Sequence, residues 1–383
     1  MKILQFAPYC SPYIGGQESY IYNLSKYLAK RGHDVHILAS NYPITKNIEK
    51  IDNITIERIN VKIRILRNPL TLGFLKIKSR YKNFDIIHIH NEHSFSSMTA
   101  AYYKRRYNFP LILTNHGILR FDNFIFDIFE KIYSRTIGKK IFKLVDRIIT
   151  LSPADKHYVS SFDINPNKII IIPNAIDPSR FESHNISDKT RFITKYKLEG
   201  KQIVLYTGQI IRRKGIVYLL KSIKLIKMRS TENNTIFVII GDGNFLKKAQ
   251  KIAKDLKIHD SVIFTGHVDW NELIQAYKSA SVYVLPSLSE GLPTTILEAM
   301  FLGVPVISTN IPGVEDHFKN YAVLVPPKNF EALANAIMNL LHDKKLAQKL
   351  ALEGKKLVKT KYSWEMIVKE YESVYKEMIL QRN

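Results

Sequence analysis

The chain reads as an α/β protein made of two doubly wound, mostly parallel sheets, one in each half. Three observations say so. Its 383 residues exceed what one hydrophobic core organises and fit two domains of about 190 residues each. Short apolar runs, such as 85–90, 168–172 and 235–240, alternate along the chain with stretches of helical spacing. That rhythm implies strands buried on both faces beneath covering helices. Glycine-containing loops follow several strands, where ligands sit in open α/β sheets.

The bulk composition narrows the classes. A hydrophobic content of 45% with 24% charged residues is ordinary for a globular chain. No apolar run reaches the roughly 18 residues that span a bilayer, and the first ten residues lack a signal-peptide pattern, so a cytoplasmic protein is expected. The single cysteine, Cys10, excludes an intrachain disulfide and a cysteine metal cage, and reads as a small buried hydrophobe. A formal charge of +23 calls for an anionic partner: nucleic acid, lipid or substrate. Residues 58–82 carry eight cations and no acid, interleaved with apolar side chains. This segment is either a basic loop packed inward or an anionic membrane surface, the second placing the chain peripherally on the inner face of the cell membrane.

In the first half, 2–7 is a strand, Gly15-Gly16 a tight turn, and 17–31 a helix with Tyr20, Ile21, Leu24, Tyr27 and Leu28 on one side. The next strand is 35–39. No G-x-G-x-x-G follows the first strand, so by itself the glycine pair is a turn. Strand 85–90 runs into His88-Ile89-His90-Asn91-Glu92-His93, which is similar to the H-x-H-x-D-H signature of metallo-β-lactamase-type hydrolases. His88 and His90 fall on one side of that strand and are spaced to share a metal, yet the doubly wound pattern around them argues against that fold. Strand 111–114 leads to Asn115-His116-Gly117, which is either a polar turn or a cleft histidine at a strand's C-terminal end. Residues 138–151 give a helix-to-strand unit, 168–172 another strand, and the polar stretch 181–192 the domain boundary.

The second half repeats the pattern, with strands at 203–206, 235–240, 262–264, 282–285, 304–308 and 322–325. Arg212-Arg213-Lys214 precede a helix, an unfavourable place for three cations unless an anion sits there. Gly241-Asp242-Gly243 and Gly266-His267-Val268 are weak turn signals. From 330 onward the chain is helical, and Ser363 caps the last helix. The most informative stretch is 285–309: a strand end, a polar loop, a short helix with Pro293 at its first position and Gly303 at its stop, then a strand. Its helix start suits a phosphate. Glu290 and Glu298, eight positions apart, repel anions but accept hydrogen bonds from hydroxyls. Phosphate and polyol together suggest a nucleotide-sugar; the plain alternative is a solvated loop acid and an exposed helix residue.

Ser289-Glu290-Gly291-Leu292-Pro293, then Leu297-Glu298-Ala299 and Gly303-Val304-Pro305-Val306-Ile307, resembles the paired-glutamate motif of the family 4 retaining glycosyltransferases of GT-B fold. The resemblance implies two Rossmann-like domains facing an interdomain cleft: 1–185 on the acceptor side, 186–362 binding the nucleotide-sugar, and 363–383 crossing back to the first. It gives Glu290 to the transferred sugar and Glu298 to the ribose, with Gly291, Leu292, Pro293 and Thr294 lining the donor. Thr114-x-His116-Gly117 matches the cleft histidine that contacts the transferred sugar. Lys214, six positions after Gly208, matches the diphosphate lysine; Gln209 replaces the family's arginine, a charge that Arg212 or Arg213 supplies, and Arg212 is assigned to the donor. Gly15 and Gly16 would close over donor phosphates or acceptor.

The activity implied is retaining, metal-independent transfer from a UDP- or GDP-sugar, without cofactor, to a glycan or lipid-linked acceptor in cell-surface glycan synthesis. Nucleic acid is not expected as a partner, because paired glutamates do not help to hold an anionic polymer. Three other readings stay open: an epimerase or other enzyme of this fold, a metal-dependent hydrolase through His88, His90 and His93, and a non-catalytic basic membrane-binding protein.

Overall fold

The computed structural model describes all residues except 14, 66–67, 77–79, 118–123, 183–189, 230–233 and 383. The chain divides into two units, Met1–Ala175 with Trp364–Asn383, and Ile176–Ser363.

The first unit contains β1 (Lys2–Phe6), β2 (Asp34–Asn41), β3 (Ile48–Ile51), β4 (Ile54–Asn60), β5 (Ile63–Ile65), β6 (Asn68–Leu70), β7 (Ile86–His90), β8 (Leu111–Asn115), β9 (Arg147–Thr150) and β10 (Ile169–Ile171). Its main sheet runs β10-β9-β8-β7-β1-β2-β4-β3, parallel except where β3 meets β4. Strands β7 and β8 are buried along their whole length, which requires helices on both faces. On one face the helix Gly16–Lys30 packs Tyr20, Ile21, Leu24 and Leu28 with Trp364, Tyr371 and Tyr375 of the last helix, Trp364–Leu380. These fully buried aromatics each contribute about 2–3 kcal/mol of burial. Arg31 and His33 both reach Glu372, at 2.7 and 2.6 Å, and fix the last helix in this unit.

The second unit contains β11 (Gln202–Thr207), β12 (Thr235–Ile240), β13 (Val262–Gly266), β14 (Val282–Leu285), β15 (Val306–Thr309) and β16 (Val323–Val325) in the parallel order β13-β12-β11-β14-β15-β16. The order reverses beside β11, so the loops after β11 and β14 are adjacent, at a topological switch point. The units part at Ala175/Ile176 rather than within 181–192. The Ile176 N–H donates to the Tyr362 carbonyl at 2.9 Å, and Phe181 packs on Trp270 and Phe301, so this segment already belongs to the second core. The expected 185/186 boundary lies outside the described residues.

Segment 58–82 is mixed. Arg58 is buried on β4 and donates to Glu49 and the Ser11 carbonyl, and Arg80 grips Glu57 with two bonds. Phe74 and Tyr81 are core, whereas Ile63 and Ile65 on the β5–β6 hairpin are exposed; 66–67 and 77–79 lie outside the described residues. Cys10 is buried, and burial pushes its thiol up. Among the described residues no helix is long and apolar enough to cross a membrane.

Candidate functional site

The loops after β11 and β14 build one charged cluster. After β11 the chain makes a 3-10 turn, Arg212–Lys214, and enters the helix Ile216–Arg229 through Gly215 at φ +70°. A Cβ on Gly215 would stand 1.9 Å from the Pro286 carbonyl oxygen, so only glycine lets the two loops touch. The Leu288 N–H donates to the Arg213 carbonyl at 2.8 Å, and Thr309 and Ser308 hydroxyls hold the Ser287 and Leu285 carbonyls. Glu290 is thereby delivered to the cations. Its Oε1 accepts from Lys214 Nζ at 2.6 Å and from Ser287 Oγ at 2.5 Å, and its Oε2 from Arg213 at 3.2 Å. The Glu290 side chain is 8% exposed and that of Lys214 13%, so the pair is largely withdrawn from water. Burial pushes the Glu290 carboxyl up, but Lys214, Arg213 and the bonds they and Ser287 make outweigh it and hold it below the usual range.

Arg212, the arginine assigned to the donor, is exposed; Arg213, the alternative source of that charge, is the one that reaches Glu290. Two cations face one carboxylate here, which leaves a net positive charge beside a carboxylate that still has a lone pair on Oε2.

The following helix, Thr294–Phe301, starts one residue later than the sequence suggested. Pro293 is the N-cap, at φ −74° and ψ 113°, because its extended ψ keeps it out of the helix, and no side chain caps the first turn. The turn also carries no acid, so its N–H groups and partial positive charge are not neutralised by the chain itself. Gly291 and Leu292 lead into it; the loop carbonyl of Gly291 rests on Gly313, where a Cβ would stand 1.9 Å away. Gly303, at φ +77°, follows the helix end. Glu298, one turn in, accepts from Tyr277 Oη at 3.0 Å, and Tyr277 in turn takes the Thr207 hydroxyl at 2.6 Å. Burial raises Glu298 to about 7, against smaller lowering by Tyr277 and Arg180. Tyr277 carried no signal in the sequence: it is an inward helix position that reads as core.

In the first unit, His116 sits just past β8, its N–H bonded to Asn91 Oδ1 at 2.9 Å and its ring edge-on to Tyr20. Three histidine rings form a line. His88 and His90 stack at 4.4 Å, and His90 Nδ1 lies 3.1 Å from His116 Nε2. Burial drives all three toward the neutral form: His88 and His116 to about 3, helped by His116 and His93 respectively, and His90 well down. The bonds then assign the protons. Gln5 Oε1 can only accept, so His90 Nε2–H donates to it at 2.8 Å. The other nitrogen of neutral His90 therefore accepts from His116 Nε2–H, and His116 Nδ1 keeps its lone pair.

His88 uses both nitrogens, toward Tyr375 Oη and Thr114 Oγ1, each at 2.7 Å. His88 and His90 thus have no nitrogen left over for a metal, and among the described residues no three His, Cys, Asp or Glu are grouped to hold one. Gly15 and Gly16 begin the helix Gly16–Lys30, and Glu18 folds back over Gly15, where a Cβ would stand 2.1 Å from Glu18 Oε2. Burial raises that carboxyl to about 7.

Comparison with known proteins gives the family and the fold. Residues 188–357 match the family model "Glycosyl transferases group 1", and residues 14–180 match "Glycosyltransferase Family 4". The capsular polysaccharide biosynthesis glycosyltransferase CapM of Staphylococcus aureus is 28% identical over 376 residues, 91% of each chain. Among solved structures, the sucrose-phosphate synthase of Thermosynechococcus elongatus superposes with a TM-score of 0.85 at 23% identity, over 99% of both chains. Anabaena HepE in complex with UDP superposes with a TM-score of 0.80 at 17% identity, over 98% of this chain and all of the other. These structures share the GT-B fold, with its two parallel-sheet α/β domains.

Proposed function

The chain belongs to the group 1, family 4 glycosyltransferases, and on that premise we propose that it transfers a sugar, with retention, from a UDP-sugar to a glycan or lipid-linked acceptor. The observation that carries the donor assignment is the clasp of Lys214 and Arg213 on Glu290, in the loop that leads to the uncapped start of helix Thr294–Phe301. A diphosphate placed there meets two cations and unpaired N–H groups, which stabilise the charge that grows as the glycosidic bond breaks.

Glu290, held ionised, accepts from a hydroxyl of the transferred sugar, and Glu298 accepts from the ribose. His116 Nδ1 is the first unit's acceptor for a sugar hydroxyl. In the reaction the acceptor oxygen bonds to the anomeric carbon on the face the diphosphate leaves, the carbon–phosphate-oxygen bond breaks, and the departing phosphate takes the acceptor's proton. No metal is required by this scheme. UDP rather than GDP is favoured by the HepE complex, and a cell-surface glycan by the role in CapM's name.

A thermal-shift panel of UDP-, GDP-, ADP- and dTDP-sugars tests the reading. Saturation at about a hundred times Kd should stabilise the protein by about 2.7 kcal/mol, for the UDP-sugar above the rest. Slow release of UDP without acceptor, unchanged by chelator, should accompany it. No shift with any nucleotide-sugar, or hydrolysis that chelator abolishes, would remove the proposal.

A further inference from the structure

The loops after β1 and β2 carry a cluster of tyrosines with an arginine laid into it. Tyr9 and Tyr13 stack at 4.3 Å with 10° between their planes, and Tyr42 lies tilted beside both, 6.1 and 6.2 Å away. Arg64, on β5, places its guanidinium over the Tyr42 ring at 3.8 Å and over the Tyr9 ring at 5.8 Å, and its Nε donates to Tyr9 Oη at 3.1 Å. Tyr9 is buried, Tyr13 half-buried and Tyr42 38% exposed. The supports are fixed. Arg58 grips the Ser11 carbonyl between Tyr9 and Tyr13, and the Asn41 side chain holds both the N–H and the carbonyl of Thr45, closing the turn that carries Tyr42. The cluster stands at the C-terminal ends of the adjacent parallel strands β1 and β2, the edge of the sheet where His116 follows β8 and where open α/β sheets bind ligands. Asn68 Nδ2 ties the β5–β6 hairpin to that edge by donating to the His93 carbonyl, after β7.

The first unit pairs Arg58, Arg80 and Arg147 with carboxylates. Arg64 is held by rings instead, and among the described residues no carboxylate pairs with it. Its Nε is taken by Tyr9, and its two terminal amino groups keep their N–H bonds in a rigid fork. Such a fork matches a group with two oxygens to offer, a carboxylate or a phosphate. The Tyr13 and Tyr42 rings beside it present an apolar face with a polar edge, which suits the C–H face and the hydroxyls of a sugar. Packing by itself gives no reason to leave an unneutralised cation on a partly exposed ring, in a protein already at +23. We propose that Arg64 and Tyr42 form an acceptor subsite for a sugar that carries an oxyanion, the guanidinium taking the oxyanion and the rings the sugar. The proposal rests on the transferase reading and narrows its acceptor to an anionic glycan.

Titration of the full chain with methyl glucoside, methyl glucuronide and glucose 6-phosphate tests it, with UDP present to fill the diphosphate clasp. Affinities come from ligand-observed saturation-transfer NMR, and the site from the Nε–H resonance of Arg64, assigned by its loss in R64K. Both anionic sugars should move that resonance and bind about tenfold more tightly than the neutral one. The tighter of the two identifies the oxyanion as carboxylate or phosphate; inorganic phosphate, with no ring to stack, should bind more weakly than the sugar phosphate. R64Q should abolish the preference, and R64K, which keeps the charge without the fork, should retain part of it. Tyr42→Leu, which keeps bulk but loses the ring face, should weaken all three sugars about threefold. If a variant fails to fold, the wild-type resonance carries the test. The thermal shift with nucleotide-sugar should be the same in every variant, and its absence from the wild type would sink the transferase reading itself. Equal binding of neutral and anionic sugars, a preference that survives in R64Q, or an Arg64 resonance that no sugar moves would overturn the subsite while the donor shift stands.

Discussion

Two polar clusters, one in each unit, are buried in opposite ways. The second gathers real charge: Lys214 and Arg213 against Glu290, with each head paired. The first gathers groups that could be charged and keeps them neutral, by stacking His88, His90 and His116 where protonation is costly. On the proposed function, charge is kept where the diphosphate would bind, since only a formal cation stabilises a leaving dianion strongly. On the same proposal, neutral donors and acceptors are kept where a sugar hydroxyl would be held, since their geometry selects without attracting stray ions. The difference teaches that pKa control is exerted by partners at the Glu290 cluster and by desolvation along the histidine line.

The largest effect should come from breaking the charged cluster. Lys214→Met should lower kcat by about 10³. It should also cost about 3 kcal/mol of stability, because a buried carboxylate loses its shorter ion pair. Glu290→Gln should lower kcat by about 10² with a smaller stability loss. The double variant separates the two roles. If the pair matters for folding and each member also for turnover, K214M/E290Q should regain much of the stability lost in K214M and none of the activity. Thermal melts with donor turnover give both readings. Recovery of activity in the double variant would make the lysine a mere counter-ion.

The clasp was only half legible in the sequence. Lys214, Glu290 and Glu298 stand out because a motif holds them at fixed spacing, and strands such as Thr235–Ile240 and Val282–Leu285 because β-branched runs between turn residues have few other readings. Which of three consecutive cations turns inward depends on the backbone of a 3-10 turn, so Arg213 could not be told from Arg212. Gln5 looked like one polar residue in an apolar strand, and its role exists only because β7 lies beside β1 in the sheet. The helix Phe124–Tyr133 has strong helical periodicity, but no pattern in sequence says which of its faces meets solvent. Likewise β5 and β6 lie inside a segment, 58–82, whose charge dominates its reading.

A middle-sized effect should appear with pH, and with opposite sign in the two units. His88 and His116 have folded values near 3 against an ordinary 6.5, so below pH 6.5 the unfolded chain binds protons that the folded one refuses. Their contribution is full above pH 6.5 and is lost as pH falls toward 3, at about 1.4 kcal/mol per pH unit for each fully shifted group. Glu298 is the reverse. Its value is raised to about 7 from 4.5, so its contribution is full below pH 4.5 and is lost as pH rises through 7. Glu18, raised likewise, offsets part of the histidine term in the first unit. Hydrogen exchange read unit by unit at pH 7 and pH 5 should show protection falling in β7 and β8 and rising around Thr294–Phe301. Parallel changes in both would mean that partners, not burial, govern the histidines.

The smallest effect sharpens the neutral side of the comparison. Gln5→Leu removes the acceptor that obliges His90 to carry its proton on Nε2, and the two His90 tautomers then approach equal weight. With the proton on Nδ1, His90 can no longer accept from His116, and the lone pair of His116 turns away from the position it needs. We expect kcat to fall about tenfold, or 1.4 kcal/mol, with KM little changed, because a misplaced acceptor weakens the transition state more than the ground state. Gln5→Glu keeps an oxygen acceptor at that point and should recover most of the loss. Nitrogen chemical shifts of the His116 ring supply a readout that a merely structural role would leave alone. They should report Nε2–H in the wild type and a tautomer mixture in Gln5→Leu; a pure Nε2–H form in the variant, with turnover still reduced, would locate the defect in packing instead.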